Sequence, residues 1–253
     1  ISKVKGGKRV TGVAVCSQAG EGAELEEIAC ECVAMSGGWS PVVHLWSHCG
    51  GKLNWDEAQA HFRPDAARPP LGDNGKGFVV AAGSADGEMA LGAVLVNASA
   101  AGSKAAEDAG FPAKTVAAAA GVDSAEAPME AVWLMPAQAD IGLRMKSWLD
   151  YQNDVKVSDV QLAAREGYES VEHTKRYTTL GMATDQGKLS NINGLAILSD
   201  ALGEPIPQVG TTTFRPPYTP ISMGAIAGDA RGDLFHPLRK TPIHGWHEAK
   251  GAT

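Results

Sequence analysis

Residues 175–188 read KRYTTLGMATDQGK and place cations, hydroxyls and glycines within one short stretch. Lys175 and Arg176 come late on a predicted helix, and the turn after them leads through Gly187 into the expected start of another helix. Cations beside the free N–H groups and positive dipole end of a helix suit a phosphate group. The stretch therefore predicts an anion-binding loop. The alternative is that both cations only complement the negative dipole end of their own helix.

A second glycine-rich stretch predicts a buried strand over residues 78–82, a tight loop over 83–87 and an alanine-rich helix over 88–109. A helix entered through glycines suits a pyrophosphate or ribose oxygens. Many such turns need glycine only for its backbone freedom, so nucleotide binding and a purely structural turn both stay open. No G-x-G-x-x-G motif follows a strand in these 253 residues. A dinucleotide fold here would therefore have its opening βαβ unit upstream of Ile1.

The spacing of apolar residues, and the residues that interrupt it, predict the elements that must position these side chains. The first third is expected to be β-rich, and the mostly alanine and small polar residues 116–127 indicate a linker. Three short helices are expected after it: one with a capping box at Ser158 to Gln161, one capped by Ser170, and one from about Gly187 to Gly203. The expected β-strands are residues 2–5, 8–15 and 28–35.

The overall composition excludes several function classes. The formal net charge of −7 argues against a nucleic-acid binder, and no apolar run approaches the ~20 residues that span a bilayer. Four cysteines without a scaffold spacing favour reduced thiols, and we expect a cytoplasmic location. His44, His48 and His61 near Cys49 are more typical of solvated loop residues than of a metal site.

Four longer strings resemble the α subunit of heterotetrameric sarcosine oxidase. They are residues 30–58 (beginning CECVAMSGGWSPVV), 150–197 (containing KRYTTLGMATDQGK), 208–220 (QVGTTTFRPPYTP) and 239–246 (RKTPIHGW). The resemblance implies a bacterial flavoenzyme complex that oxidises the small molecule sarcosine to glycine. The methyl carbon would pass to tetrahydrofolate or leave as formaldehyde, and oxygen would be reduced to hydrogen peroxide.

The resemblance also implies a domain plan. Residues 1–115 would be the C-terminal part of an α/β pyridine-nucleotide-binding domain of the FAD/NAD(P)-like type, and 116–128 a linker. Residues 129–207 would form a small all-α domain, and 208–253 an extended proline-rich segment that leads to an aminomethyltransferase-like folate domain. NAD would bind this subunit, FMN the interface with the β subunit and FAD the β subunit itself. The partners would be β, γ and δ subunits, with no membrane.

The resemblance implies cofactor-binding residues and no catalytic residue in this chain. Four residues fall where the family's final strand-to-helix turn approaches NAD: Gly83, Gly87, Glu88 and Ala90. The candidates for contact with FMN are Lys175, Arg176, Thr179, Gln186, Lys188, Thr213 and Arg215.

Two alternatives stay open. The chain could belong to a related oxidoreductase of the secondary-amine, opine or dimethylglycine type with the same subunit plan, since substrate selection lies in the β subunit. It could also be a structural scaffold with no cofactor of its own.

The all-α part also resembles the [2Fe–2S] domain of bacterioferritin-associated ferredoxins. That domain carries C-x-C before its first helix and C-x-x-x-x-C after its second. The comparable positions here hold Asp150, Gln152, Asp185 and Ser190. A cluster of this type needs four thiolate ligands, and none of these side chains is a thiol.

We therefore predict that the purified protein contains no iron–sulfur cluster, because the ligand positions lack sulfur. Assays for iron and acid-labile sulfide, together with the visible absorption spectrum, test this. Stoichiometric iron and sulfide with a charge-transfer band would contradict it.

Overall fold

The computed structural model describes residues 1–112, 129–140, 142, 147–215, 218–235 and 238–252. They divide into two compact units, Ile1–Tyr218 and Thr219–Thr253. The predicted linker at 116–127 lies outside the described residues, and the predicted domain boundaries stay predictions.

The chain begins with a three-stranded antiparallel sheet of order β1-β2-β3, formed by β1 (Lys3–Gly6), β2 (Val10–Cys16) and β3 (Glu24–Ala29). The first two strands confirm the predicted hairpin. Gly6 has a φ of +128°, and a Cβ there would lie 2.1 Å from the Arg9 carbonyl oxygen, so this turn requires glycine. The third strand was expected at 28–35 but ends at Ala29. Its partner strand, β2, begins at Val10, and Ala29 already pairs with Gly12. Few residues of β2 are therefore left to pair with residues after Ala29.

A short helix, α1 (His44–His48), is followed by a second hairpin of β4 (Leu53–Asp56) and β5 (His61–Pro64). The strand predicted at 78–82 is wrong. Phe78 is 60% exposed and Val80 64% exposed, and no described strand lies beside them to complete a ladder. A 3₁₀ turn (Gly83–Asp86) then leads into α2 (Leu91–Asp108), which confirms the predicted helix.

Three further helices also agree with the prediction: α3 (Val157–Arg165), α4 (Val171–Thr178) and α5 (Asn191–Leu202). They follow a small hairpin of β6 (Trp148–Asp150) and β7 (Val155–Lys156), and α6 (Ile206–Val209) comes after them.

The predicted helix ends need two corrections. The capping box at Ser158 is wrong because α3 begins at Val157 and Lys156 is the residue before it, and the Asp159 carboxylate accepts the Lys156 backbone N–H at 2.8 Å. Ser170 is the residue before α4, as predicted, but its side chain makes no capping hydrogen bond. Thr179 adopts a left-handed conformation with a φ of +64° and ends α4 before Gly181.

One hydrophobic core joins the β4–β5 hairpin to the three helices. Phe62 of the hairpin is 7% exposed and belongs to the same buried cluster as Val160, Leu180 and Leu195. The cluster is completed by Leu149, Val155, Val157, Val171, Ile197 and Leu198. The helices therefore share their core with a segment that lies about a hundred residues earlier in the chain.

The second unit contains α7 (Met223–Ala227), a 3₁₀ turn (Gly232–Phe235) and α8 (His244–Ala249). The Ser222 hydroxyl caps α7 by accepting the Ala225 N–H at 3.1 Å. Within the described ranges, no helix has the length and apolar character needed to cross a bilayer.

Replacing Phe62 by alanine is expected to lower the free energy of unfolding by about 3–5 kcal/mol, because the change leaves a cavity where the hairpin meets the helices. Urea denaturation followed by circular dichroism measures this. The exposed Phe78 is the matched control, and Phe78→Ala should change stability by less than about 0.5 kcal/mol. Equal effects of the two substitutions would contradict the shared core.

Candidate functional site

The loop that follows α4 is anchored by the carboxylate of Asp150, which is 3% exposed. One oxygen, Oδ1, accepts the backbone N–H groups of Gln152 and Asn153 at 2.9 and 3.0 Å. The other, Oδ2, accepts the Gly181 N–H at 2.8 Å. Hydrogen bonds to a carboxylate are about twice as strong as neutral ones, so Asp150 ties its own turn firmly to the loop at Gly181.

Two further hydrogen bonds join the same turn to the loop. The Asn153 side chain donates to the Thr179 carbonyl at 2.9 Å, and the Asp185 N–H donates to Gln152 Oε1 at 3.2 Å. Gly181 also requires glycine, because its φ is +68° and a Cβ would lie 2.3 Å from the Asn191 side-chain oxygen. The loop between α4 and α5 is therefore held in one conformation.

The four positions compared with a [2Fe–2S] domain lie in or beside this network. Gln152 accepts the Asp185 N–H, and Ser190 is buried at the start of α5. Across the described ranges, no group of three or more His, Cys, Asp or Glu side chains is arranged to hold a metal ion. The likeness to that ferredoxin module stays a prediction.

Residues 211–215 together with Tyr218, which we name the strap, lie against α1, α4 and the loop. The Thr213 N–H donates to Glu172 Oε1 at 2.6 Å, and the Thr213 carbonyl accepts Lys175 Nζ at 3.1 Å. Lys188 Nζ donates to the Tyr218 carbonyl at 3.0 Å and lies 4.3 Å from the centre of the Tyr218 ring. His48 Nε2 contacts the Phe214 carbonyl. Side chains from three parts of the fold thus hold the strap by its backbone.

Lys175 is only 6% exposed, and this burial lowers the pKa of its ammonium group below the usual value. Nearby Glu172 raises that pKa, whereas the charges of Arg215 and Arg176 lower it. Lys175 is therefore close to both arginines while its own hydrogen bond is directed to the strap.

The structure brings the seven residues predicted to contact FMN into one region of the first unit. Lys175 and Arg176 lie on α4 and Thr213 and Arg215 on the strap, while Thr179, Gln186 and Lys188 lie on the loop. Some of them make internal hydrogen bonds: the Thr179 hydroxyl donates to the Thr178 carbonyl, and the Gln186 amide donates to the Ala183 carbonyl.

The exposed guanidinium groups are the parts of this region available to an anion. Arg176 lies 3.3 Å from Glu172 Oε2 and also donates to the Glu172 carbonyl at 2.8 Å. Arg215 is exposed, and among the described residues it makes no hydrogen bond or ion pair. The charges of Glu172, Arg176 and Arg215 all act on the Lys175 ammonium group, so these four side chains lie near one another.

A crevice beside the strap has a cavity volume of about 40 Å³ and is lined by residues that include Ser40, Phe62, Asn191, Phe214 and Tyr218. Pockets for ligands the size of a cofactor are roughly 300–1,000 Å³, so this crevice cannot enclose a flavin. The region is therefore an open surface that could contact one side of a ligand.

Several residues that shape this region were not predicted from the sequence. Glu172 was not singled out, and His48 and Tyr218 were not connected with the strap. His44 lies with its ring centre 4.0 Å from that of Tyr218, and burial lowers its pKa, with smaller lowering by His48 and Lys188. The signal that could have identified Glu172 is its position one helical turn before Lys175 and Arg176.

The four residues predicted to contact NAD lie together at the entrance to α2. Gly83 has a φ of +59°, and its N–H donates to the Asn97 side-chain oxygen at 2.7 Å, so that donor is already used. Gly87 has a φ of +92°, and the Glu88 N–H donates to the Gly83 carbonyl at 3.2 Å. Ala90 is the exposed residue before α2. The positive dipole end of α2 is the feature that suits a pyrophosphate.

Comparison with known proteins gives a consistent result. Residues 144–230 match the family described as the sarcosine oxidase A3 domain. Over 98% of its length the chain is 41% identical to sarcosine oxidase subunit alpha of Rhizobium meliloti (strain 1021), and over 94% it is 40% identical to that of Corynebacterium sp. (strain P-1). The chain spans about a quarter of the length of these curated relatives, 24% in both cases.

A solved structure also shares the fold. The crystal structure of L-proline dehydrogenase from P. horikoshii has a TM-score of 0.63 and 18% sequence identity. The match covers 89% of this chain and 43% of that one. The described residues form both helices and strands, in agreement with the predicted α/β class.

Replacing Asp150 by alanine is expected to lower the free energy of unfolding by roughly 3–5 kcal/mol, because three backbone N–H groups lose their acceptor. Asp150→Asn keeps part of the acceptor capacity and should cost less. Denaturant unfolding measures both, and Asp200→Ala, an exposed aspartate on α5, should change stability by less than about 0.5 kcal/mol. An Asp150→Ala protein as stable as the Asp200→Ala control would rule out the anchoring role.

Proposed function

We infer that this chain, which is homologous over nearly its whole length to a segment of sarcosine oxidase α subunits, acts as part of such a subunit. The proposed complex oxidises sarcosine to glycine, transfers the methyl carbon to tetrahydrofolate or releases it as formaldehyde, and reduces oxygen to hydrogen peroxide. Within it, the segment would contact FMN at the interface with the β subunit and help to bind NAD. FAD would lie in the β subunit, and γ and δ subunits would complete the assembly.

The observation that carries this proposal is the exposed cationic surface of α4 and the strap. Two guanidinium groups, those of Arg176 and Arg215, are exposed beside the buried ammonium of Lys175. A planar guanidinium can donate two hydrogen bonds to a phosphate at once, which a lysine cannot reproduce. These groups fit the phosphate of FMN, and the hydroxyl of the exposed Thr213 adds a further donor.

The small crevice supports an interfacial site. A surface without a deep pocket can hold one end of a ligand whose remainder is enclosed by another subunit, and this chain would contribute cations to such a site. When bound, FMN would accept electrons and pass them to oxygen. The residues of this chain would bind its phosphate, orient it and exclude water from one side.

Contact with NAD has less support from the geometry. The Gly83 N–H is engaged by Asn97, so it is not free for a ligand. The proposal therefore rests on backbone near Gly87, Glu88 and Ala90 and on the positive dipole end of α2.

The scaffold alternative is favoured by one specific observation. Lys175 and Lys188 both donate to carbonyl groups of the strap, which gives these cations a purely structural use. Arg215 distinguishes FMN contact from the scaffold alternative, because its guanidinium has no such internal contact among the described residues.

We predict that Arg215→Ala in the complex assembled from the full α subunit and its partners reduces FMN retention about tenfold or more. The reason is the loss of a charge-assisted hydrogen bond, worth roughly 1.5–3 kcal/mol. Arg215→Lys should be nearly as harmful, because a point charge cannot form the bidentate contact. Bound FMN per complex and the rate of sarcosine-driven FMN reduction are the measurements.

The matched control is Arg165→Ala, which removes the same charge from an exposed position on α3. It should leave FMN retention unchanged. Wild-type occupancy and reduction rate in the Arg215→Ala complex would support the scaffold alternative instead.

A further inference from the structure

We propose that Glu172 and Lys175 are a positioning pair. They hold Thr213 by its backbone N–H and its backbone carbonyl, and so fix where Arg215 meets the flavin phosphate. This inference rests on the proposed function. It assigns Lys175 to orienting the strap, and it adds Glu172, which neither the motif nor the comparisons single out.

The pair contacts both hydrogen-bonding groups of one strap residue. Glu172 and Lys175 are three residues apart on α4, so they lie on the same face of the helix. Glu172 Oε1 accepts the Thr213 N–H at 2.6 Å, and Lys175 Nζ donates to the Thr213 carbonyl at 3.1 Å. Two charged side chains thus take both hydrogen-bonding positions of the Thr213 backbone, as a neighbouring strand would.

Burial of Lys175 makes its half of this contact costly to break. Lys175 is 6% exposed, and an ammonium group without a partner would be very unfavourable in that position. Thr212, the preceding strap residue, is also buried. The strap therefore has a fixed position at Thr213, although the Thr213 side chain and Arg215 remain exposed.

The position of Arg215 follows from that of Thr213. Two residues of chain span at most about 7 Å, so the contact at Thr213 restricts where the Arg215 backbone can lie. Glu172 acts on the other exposed guanidinium as well, because its Oε2 lies 3.3 Å from Arg176 Nη1. One carboxylate thus sets the relative placement of both arginines.

Direct binding of the phosphate by Glu172 is excluded by its charge, since two anions repel each other. Its oxygens are occupied by the Thr213 N–H and the Arg176 guanidinium. Its contribution to an anion site is therefore to orient the cations.

The first experiment measures hydrogen exchange of residues 211–215 in this chain. Glu172→Ala and Lys175→Met should each accelerate it about tenfold or more, because a charge-assisted hydrogen bond is lost. Glu172→Gln, which keeps an acceptor oxygen, should restore most of the protection. Glu169→Ala removes a carboxylate from an exposed neighbouring position and should exchange like the wild type. Wild-type exchange in Glu172→Ala would overturn the proposal.

The second experiment is a double-mutant cycle in the assembled complex, with FMN retention as the readout. Glu172→Ala should reduce retention several-fold in the wild type and by a clearly smaller factor in Arg215→Ala, where only its contact with Arg176 is left to lose. Equal effects in the two backgrounds would show a merely structural role and overturn the positioning claim.

The two experiments separate the inference from the function on which it rests. If Arg215→Ala alone leaves FMN retention unchanged, the proposed function fails, and the positioning role fails with it, whatever the exchange data show. If Arg215→Ala lowers retention and Glu172→Ala does not, the function stands and the positioning pair is wrong.

Discussion

The buried Asp150 carboxylate is the interaction on which the geometry of the candidate site depends. By accepting three backbone N–H groups, it joins the turn after β6 to the loop after α4. Without that acceptor the Gly181 N–H would be buried and unpaired, which is costly. The loop carries Lys188, which in turn contacts the strap at Tyr218. The arrangement of the cationic region therefore depends on Asp150, whose carboxylate binds backbone N–H groups rather than a cation among the described residues.

The cations of this region have two different uses. Lysines 175 and 188 donate to strap carbonyls, and they hold two parts of the chain together. The arginines at 176 and 215 remain exposed, and Arg176 also forms an ion pair with Glu172. This division suits the chemistry of the two side chains, because a flexible ammonium can satisfy a single carbonyl, whereas a guanidinium recognises a phosphate with two parallel bonds. An open surface with this arrangement suits a ligand shared with another subunit.

Local patterns predicted much of the fold, and contacts between distant residues account for what was missed. The three helices after residue 156 and the first hairpin followed from apolar spacing and glycines. The packing of Phe62 into the helical core could not be predicted in this way, because nothing in the local sequence shows which segments share a core. The strand expected at 78–82 is apolar, but no described strand forms a ladder with it. In the site, the motif placed Lys175 beside Arg176 because they are adjacent in the sequence, but it could not show the hydrogen bond from Lys175 to Thr213, which joins residues 38 apart.

The central claim is that this surface holds the phosphate of an interfacial flavin. The most direct measurement is a crystal structure of the assembled complex with FMN bound. The account predicts that the Arg215 guanidinium lies within hydrogen-bonding distance of phosphate oxygens, about 2.7–3.0 Å, with Thr213 still held by Glu172 and Lys175. A phosphate bound by other parts of the complex, with Arg215 in bulk solvent, would contradict it.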